Sequence, residues 1–153
     1  MENKFCRRRM HPMLLILGVF AAIEITGCAT SSGVIVNPAN QKIHYSSVYL
    51  VTHGGSSADM DANIQKEFLR RGFSVTSGAE VGTEDAQLIA RYADDWKWDI
   101  AMYLRSLDLM VFDGHSKVLL ATGSWKNSVF HGFYSSEKVV TDVVDDTLSK
   151  ISN

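Results

Sequence analysis

The fold is decided by residues 98–128, which read WDIAMYLRSLDLMVFDGHSKVLLATGSWKNS. Apolar residues alternate with other residues along the first half, on even-numbered positions at first and on odd-numbered positions afterwards. Side chains of a strand point alternately to its two faces, so this change of phase predicts one long strand over 98–112 with a β-bulge near Arg105 and Ser106.

A turn follows this strand. Asp113-Gly114-His115-Ser116 combines residues that favour tight turns between strands. We therefore predict a hairpin whose second strand runs from Lys117 to about Ser128, with Gly123 as a second kink.

The preceding sequence predicts a strand, a helix and a strand. The first strand spans 46–52, the helix begins at Ser57 or Asp59 and ends near Arg71, and the second strand spans 73–76. A helix between two neighbouring strands predicts a right-handed parallel crossover. The apolar face of this helix is formed by Met60, Ile64, Phe68 and Leu69.

Two more helices are predicted. A short helix spans 84–92, since Thr83 is a capping residue and an acidic first turn follows it. The last helix begins at Ser135 or Ser136, and its apolar residues recur with a period of 3.6. These residues are Val139, Val140, Val143, Val144, Leu148 and Ile151.

The resulting order is β-α-β-(α)-β-β-α, an α+β or α/β fold. We expect a mixed sheet of about four strands, with helices mostly on one face. The 153 residues allow one domain, which we place at 42–153.

The N-terminus has the three parts of a secretory signal over residues 1–27. A basic start precedes an apolar run of 11 residues, 13–23, and small residues follow. The apolar run is too short for a spanning helix, which needs about 20 residues, so a cleaved signal is favoured over a permanent transmembrane anchor.

Ile25-Thr26-Gly27-Cys28 resembles the bacterial lipobox, in which the cysteine sulfur receives diacylglycerol. The resemblance implies that Cys28 is lipidated and that the chain is held on the periplasmic face of the outer membrane, because Ala29 stands where Asp tends to retain such proteins at the inner membrane. Several acyl chains make such an anchor effectively permanent. The Ser-, Gly- and Asn-containing stretch after Cys28 predicts a flexible tether over 28–41.

The net charge limits the possible partners, and the number of cysteines limits the possible disulfides. Residues 28–153 carry 11 basic and 15 acidic side chains, a net charge of −4. This excess of acid disfavours nucleic acid as a partner. The only cysteines are Cys6, in the signal, and Cys28, so the domain at 42–153 has no cysteine for a disulfide.

No motif predicts catalysis or a cofactor. His53-Gly54-Gly55 lacks a partner nucleophile elbow and is typical of an ordinary strand-to-helix turn. Asp59 and Asp61 imitate a calcium loop, but Ile64 and Arg70 occupy positions that need Gly and Glu. The histidines have no metal-ligand spacing, so we expect no metal.

Trp96 and Trp98, beside Asp99, are the best candidate patch for a partner. The interpretation as core plus rim competes with this one, and exposure of both indoles on one face would favour a contact surface for a protein or a glycan. Asp95 or Asp99 would supply carboxylates for glycan processing in that alternative.

Residues 94–104, the turn at 112–121 and the terminal helix together resemble a group of small Gram-negative lipoproteins of unknown function. The architecture is also similar to the periplasmic modules of the TolB amino-terminal domain and of the lipoprotein activator of penicillin-binding proteins. The lipobox, the tether and the lack of a reactive triad favour a non-enzymatic, lipid-anchored binding or scaffold protein with an envelope partner. The alternative is a domain that binds or processes peptidoglycan or lipopolysaccharide. A third possibility is a structural lipoprotein whose loss matters only under envelope stress.

Overall fold

The computed structural model describes residues 30–38, 44–54, 58–79, 85–128 and 132–151. The signal peptide predicted over 1–27 and the lipobox from Ile25 to Cys28 lie outside these residues. The described chain forms six strands and two helices: β1 (Ser31–Val36), β2 (Ser47–Val51), α1 (Ala58–Arg70), β3 (Ser74–Gly78), β4 (Leu88–Trp98), β5 (Met102–Asp113), β6 (Leu119–Lys126) and α2 (Ser136–Ile151).

All six strands belong to one mixed sheet in the order β1-β6-β5-β4-β2-β3. β2 pairs in parallel with β3 and β4, and the remaining neighbours are antiparallel. The predicted combination of helices with a mixed sheet is therefore confirmed. The predicted count of about four strands is too low by two, and both missing strands come from segments that we had interpreted otherwise.

The strand, helix and strand near the start of the domain form as predicted. β2 and β3 pair in parallel along their full lengths, with α1 as the crossover between them. Gly72 follows α1 with a φ of 85°, a left-handed conformation that a residue without Cβ adopts readily. Met60, Ile64 and Phe68 are buried, whereas Leu69, predicted on the same face, is exposed.

Both helices cover one face of the sheet. They contact each other, and their buried residues share a single hydrophobic core with the sheet. Burial of the apolar stripe is what stabilises α2, since valine is a mediocre helix former. The predicted stripe is confirmed at every position: Val139, Val140, Val143, Val144, Leu148 and Ile151 are buried.

The helix predicted over 84–92 is wrong where the structure describes it, because residues 88–92 belong to β4. β4 is an interior strand between β2 and β5. Leu88, Ile89 and Ala90 are all buried, so the strand lacks the alternation of buried and exposed residues that marks a strand covered on one face only. A short apolar run of this kind does not distinguish a strand from a helix.

The predicted bulge is confirmed. Asp95 pairs with Ser106 and Trp96 pairs with Leu104, which leaves Arg105 as the extra residue of β5. The insertion returns the apolar side chains of β5 to the helix-covered face on both sides of the bulge.

The second kink is not at Gly123, which pairs regularly with Leu109. The irregularity of β6 lies earlier, where Val111 pairs with Ala121 and Phe112 with Leu119. Leu120 is therefore the extra residue, and Gly123 requires another explanation.

The flexible tether predicted over 28–41 does not hold for residues 31–36, which form β1 at the edge of the sheet. Every residue of β1 has a partner in β6, from Ser31 opposite Lys126 to Val36 opposite Ala121. Val34 packs against the core. The folded domain thus begins at residue 31 or before it, rather than at residue 42.

Candidate functional site

Two regions at opposite ends of β5 carry the features of a contact surface. At one end, residues 99–101 connect β4 to β5, and we call this the hairpin end of the sheet. At the other end, β5 finishes at Asp113 beside a polar cleft. The 12 residues of β5 separate the two regions by about 36 Å, given a rise of about 3.3 Å per residue.

The two tryptophans of the predicted patch have different environments. The indole of Trp98 is 71% exposed, whereas Trp96 is partly buried and packs against the core. The Nε1 of Trp96 donates a hydrogen bond of 2.7 Å to a carboxylate oxygen of Asp94. Trp98 and Asp99 are therefore exposed together, but Trp96 does not join them as a second free aromatic face.

The hairpin continues beyond the core on both of its strands. Trp98 pairs with Met102 across the hairpin. Ile100, in the turn, is 84% exposed, and Met102 is also exposed. The strand predicted over 98–112 is therefore wrong in its first residues, because β4 ends at Trp98 and β5 begins at Met102. Asp99, a residue common in turns, is the local signal of this turn.

Phe133 and Tyr134 add to the hairpin end, and we did not predict them. Both are exposed. Phe133 contacts the ring of Tyr103 edge to face, with centroids 6.1 Å apart, and Tyr134 contacts the ring of Trp125 at 5.7 Å. Three aromatic residues within residues 130–134 were the available signal.

Asn127 fixes the start of this aromatic segment. Its Nδ2 donates hydrogen bonds to the carbonyl oxygens of Leu104, at 3.1 Å, and Gly132, at 3.0 Å. The backbone before Phe133 is thereby tied to β5 next to the hairpin. This places both aromatic rings at the hairpin end.

Exposed apolar side chains are concentrated at this end. Among the described residues, nine large apolar side chains are exposed, and five of them lie here. Clustering matters because single exposed apolar residues are ordinary, whereas a contiguous group marks a contact surface. We call the five residues the hairpin-end patch: Trp98, Ile100, Met102, Phe133 and Tyr134.

The carboxylates near the tryptophans have structural partners. Asp95 lies 3.4 Å from the Nζ of Lys97 and 3.7 Å from a guanidinium nitrogen of Arg105, and Asp94 accepts the indole hydrogen bond of Trp96. These contacts supply Asp94 and Asp95 with partners and do not form a pair of facing carboxylates for acid and base catalysis.

The turn after β2 also has a structural explanation. Asp61 accepts hydrogen bonds from the backbone amides of His53, at 3.3 Å, and Gly54, at 3.0 Å, and from the hydroxyl of Tyr92, at 2.6 Å. The imidazole of His53 stacks on the Tyr92 ring with centroids 4.5 Å apart. The described part of this turn is thus joined to α1 and β4, in agreement with the predicted strand-to-helix turn.

The cleft opposite the hairpin end has a volume of about 280 Å³. Gly114, next to the cleft residues Asp113 and His115, donates a 2.7 Å backbone hydrogen bond to the carbonyl oxygen of Gln87. A Cβ at this glycine would lie 1.7 Å from the carbonyl oxygen of Ala86. The polar residues that line the cleft are His44, Tyr45, Asp85, Gln87, Asp113 and His115.

Asp113 stabilises the turn beside the cleft. One carboxylate oxygen accepts hydrogen bonds from the backbone amides of His115 and Ser116 and from the Ser116 hydroxyl. These bonds, the Ser116 amide foremost, hold the pKa of Asp113 below its ordinary value. Burial, assisted by the charge of Asp113, raises the pKa of Tyr45. The cleft therefore offers a phenol, two imidazoles and an amide for hydrogen bonding to a small polar molecule.

Two further findings concern the described part of the chain. It contains no group of three or more His, Cys, Asp or Glu residues arranged to hold a metal ion. None of its helices is both long enough and apolar enough to cross a bilayer.

Comparison with known proteins gives a likeness of fold. No protein-family profile matches the sequence, and no curated protein matches it significantly. The fold is similar to that of PelC. The chain aligns with the PelC dodecamer from Paraburkholderia phytofirmans at a TM-score of 0.55 and 10% identity, over 82% of this chain and 100% of PelC. A single-residue variant of the same dodecamer aligns with 81% of this chain and 99% of its own, at the same score and identity.

At 10% identity the likeness to PelC concerns the arrangement of strands and helices. The residues of the hairpin-end patch and of the cleft are therefore interpreted from their own contacts. Between these two regions, the patch has the larger apolar exposure and the cleft has the greater number of polar groups.

Proposed function

We propose that the protein is a lipid-anchored, non-enzymatic binding or scaffold protein of the outer membrane, which presents its α+β domain to an envelope partner. The anchor in this proposal is diacylglycerol on Cys28, next to Ile25, Thr26 and Gly27. The contact surface is the hairpin-end patch, since a concentration of exposed apolar side chains at one end of a domain is typical of binding surfaces. No cofactor and no nucleic acid take part.

The position of β1 gives the proposal its main support. β1 begins at Ser31, three residues after Cys28, and pairs along its whole length with β6. Three residues span at most about 10 Å, so a lipid on Cys28 would hold the sheet itself close to the bilayer. A domain held this closely is suited to contacts at the membrane surface rather than to a search through the periplasm.

Replacement of the acceptor cysteine tests the anchor. We expect Cys28→Ala to abolish incorporation of labelled palmitate and recovery of the protein in the membrane fraction, because the thioether to lipid cannot form. Cys6→Ala is the matched control and should leave both readouts unchanged, since Cys6 lies in the predicted signal. Labelling of the Cys28→Ala protein at the wild-type level would contradict the proposal.

Glycan binding is the second candidate function, and the exposure of Trp98 favours it. An indole that is 71% exposed beside Asp99 offers a stacking face and a hydrogen-bond acceptor to a sugar ring. Trp96 is packed against the core and contributes no second stacking face. The candidate is therefore binding through Trp98, rather than processing through Trp96 and paired carboxylates.

Sedimentation with insoluble peptidoglycan tests the second candidate. If Trp98 stacks on the glycan, the wild-type protein should sediment with it and Trp98→Ala should lose most of this binding. Ile35→Ala removes an equally exposed apolar side chain from β1 and serves as the control. Equal sedimentation of all three proteins, or none of any, would exclude Trp98 as a peptidoglycan platform; lipopolysaccharide is tested by the same comparison.

A further inference from the structure

We infer that the hairpin-end patch contacts the interfacial layer of the same bilayer that holds the lipid of Cys28, so that its partner is a lipid surface. The inference rests on the proposed function, because lipidated Cys28 fixes which end of the sheet faces the membrane. The inference identifies a lipid surface as the partner of the patch, whereas neither the sequence nor the likeness of fold identifies one.

The strand register brings the anchor and the patch to one end of the sheet. Ser31 of β1 lies opposite Lys126 of β6, and Lys126 lies opposite Ser106 of β5. These three residues are at one level across the sheet. From Ser106, β5 extends four residues further to Met102, away from the opposite cleft.

The hairpin extends beyond Ser106 by about as much as Cys28 can extend beyond Ser31. Four residues of β5 carry the hairpin about 13 Å past Ser106. The three residues from Ser31 back to Cys28 reach about 10 Å at full extension. A bilayer that holds the acyl chains of Cys28 and faces this end of the sheet is therefore within reach of the hairpin turn.

The chemistry of the patch suits an interface of headgroups and acyl chains. Trp and Tyr have an apolar body and a polar edge, and both are enriched where water meets the membrane. Trp98 and Tyr134 supply these rings, with Ile100, Met102 and Phe133 as the apolar neighbours. These five exposed side chains lie at the end of the sheet that would be anchored.

The charges beside the patch permit this contact. Between residues 94 and 105, the basic side chains are Lys97 and Arg105 and the acidic ones are Asp94, Asp95 and Asp99. Asp95 lies 3.4 Å from Lys97 and 3.7 Å from Arg105. This segment has a net charge of −1, against −4 for residues 28–153, so the contact with lipid depends on the apolar side chains and not on attraction to negatively charged headgroups.

The test uses the acylated protein purified from cells and placed in vesicles of phosphatidylethanolamine and phosphatidylglycerol. Bromine on the lipid acyl chains near the glycerol quenches tryptophan fluorescence on contact, whereas acrylamide quenches indoles that are open to water. We expect brominated vesicles to quench the wild-type protein and Trp98→Phe to lose most of that quenching, since Trp96 and Trp125 are shielded by the core.

A matched control places the tryptophan at the other end of the sheet, away from the hairpin. In the Trp98→Phe background, Leu119→Trp places an indole beside the cleft, at a position that is already exposed. The geometry puts it about 36 Å from the hairpin turn, so acrylamide should quench it and brominated lipid should not.

The outcomes separate the two claims. A purified protein whose mass lacks the acyl chains overturns the proposed anchor, and the inference falls with it. An acylated, vesicle-bound protein whose Trp98 is quenched by acrylamide, and not by lipid, overturns the inference alone. Trp98 shielded from both quenchers would show that a second copy or another protein covers the patch, which also overturns it.

Discussion

The substitution Gly123→Ala is expected to lower the free energy of unfolding by about 2–3 kcal/mol, because α2 lies against β6 at this glycine. A Cβ here would come 2.0 Å from Oγ1 of Thr147 and 3.2 Å from a side-chain carbon of Val143. Thr147 is fully buried, and its hydroxyl donates a 2.6 Å hydrogen bond to the carbonyl oxygen of Val143. The hydroxyl cannot move aside without breaking this bond.

Urea unfolding measures the effect, and Gly33→Ala is the matched control. Gly33 also lies in a strand, opposite the neighbour of Gly123 in β6, and a Cβ there would meet nothing within 4 Å. The control should be neutral or slightly stabilising. Adding Thr147→Ala to Gly123→Ala should recover part of the loss, since it removes the atom that clashes. An unchanged midpoint for Gly123→Ala would contradict the close approach of α2.

Gly123 shows a limit of interpretation from sequence. A glycine inside a strand indicates either an irregular backbone or a close neighbour, and the sequence does not say which. We predicted a kink, whereas the regular pairing of Gly123 and the contact with Thr147 establish close packing. The neighbour lies 24 residues later in the chain, so no local pattern contains it.

Patterns that depend on local geometry were predicted well. The phase change near Arg105 predicted a bulge at the residue where it occurs, because the alternation of a strand has a period of two. The stripe of the last helix predicted its buried face for a similar reason, with a period of 3.6. The turn at 113–116 followed from the residues that it contains.

The two missed strands share a physical cause, which is that their environment comes from distant partners. β1 is rich in Ser and Gly and would be loop-like alone, and its pairing with β6 makes it a strand. Its three consecutive β-branched residues, Val34, Ile35 and Val36, favour a strand, but the Ser, Gly and Asn around them favour a linker. The start of β4 is predicted as helix from a local pattern, Thr83 followed by the acidic Glu84 and Asp85, whereas its pairing with β2 and β5 makes it a strand.

The patch was predicted in part, since the end of the core cannot be located from sequence. Trp96 and Trp98 are two residues apart, and a strand places such residues on one side. The core ends between them, so Trp96 packs against it and Trp98 lies outside. Phe133 and Tyr134 reach the same surface only through the fold, by way of Tyr103, Trp125 and Asn127.

The register of β1 links the proposed anchor to both ends of the sheet. A lipid at Cys28 would place the hairpin-end patch against the bilayer and leave the cleft at Asp113 about 36 Å farther along β5. In this orientation the polar cleft faces away from the membrane. Binding of a polar envelope component there would leave the patch free for lipid, so the two surfaces do not compete.

The substitution Glu67→Gln is expected to lower the free energy of unfolding by about 2–4 kcal/mol at pH 7, because a buried carboxylate connects the two helices. Glu67 is 4% exposed. It accepts hydrogen bonds from Arg70, at 2.6 and 3.0 Å, from Arg71, at 3.1 Å, and from the Thr141 hydroxyl of α2, at 3.2 Å. A glutamine would lose the charge and would direct its own donor group toward these donors.

The pH dependence of this loss distinguishes a charge effect from a change of shape. Hydrogen bonds from Arg70, and then from Arg71, hold the pKa of Glu67 below its ordinary value. The carboxylate therefore stabilises the folded state fully above the pKa of the unfolded chain, about 4.3, and this stabilisation is lost as pH falls through the lower folded pKa. The difference between wild type and Glu67→Gln in urea should shrink below about pH 4. Glu137→Gln is the control: it removes the exposed partner of Lys66 and should lower the free energy of unfolding by less than about 1 kcal/mol. A loss for Glu67→Gln that stays constant from pH 7 to pH 3, or that matches the loss for Glu137→Gln, would contradict the role of the charge.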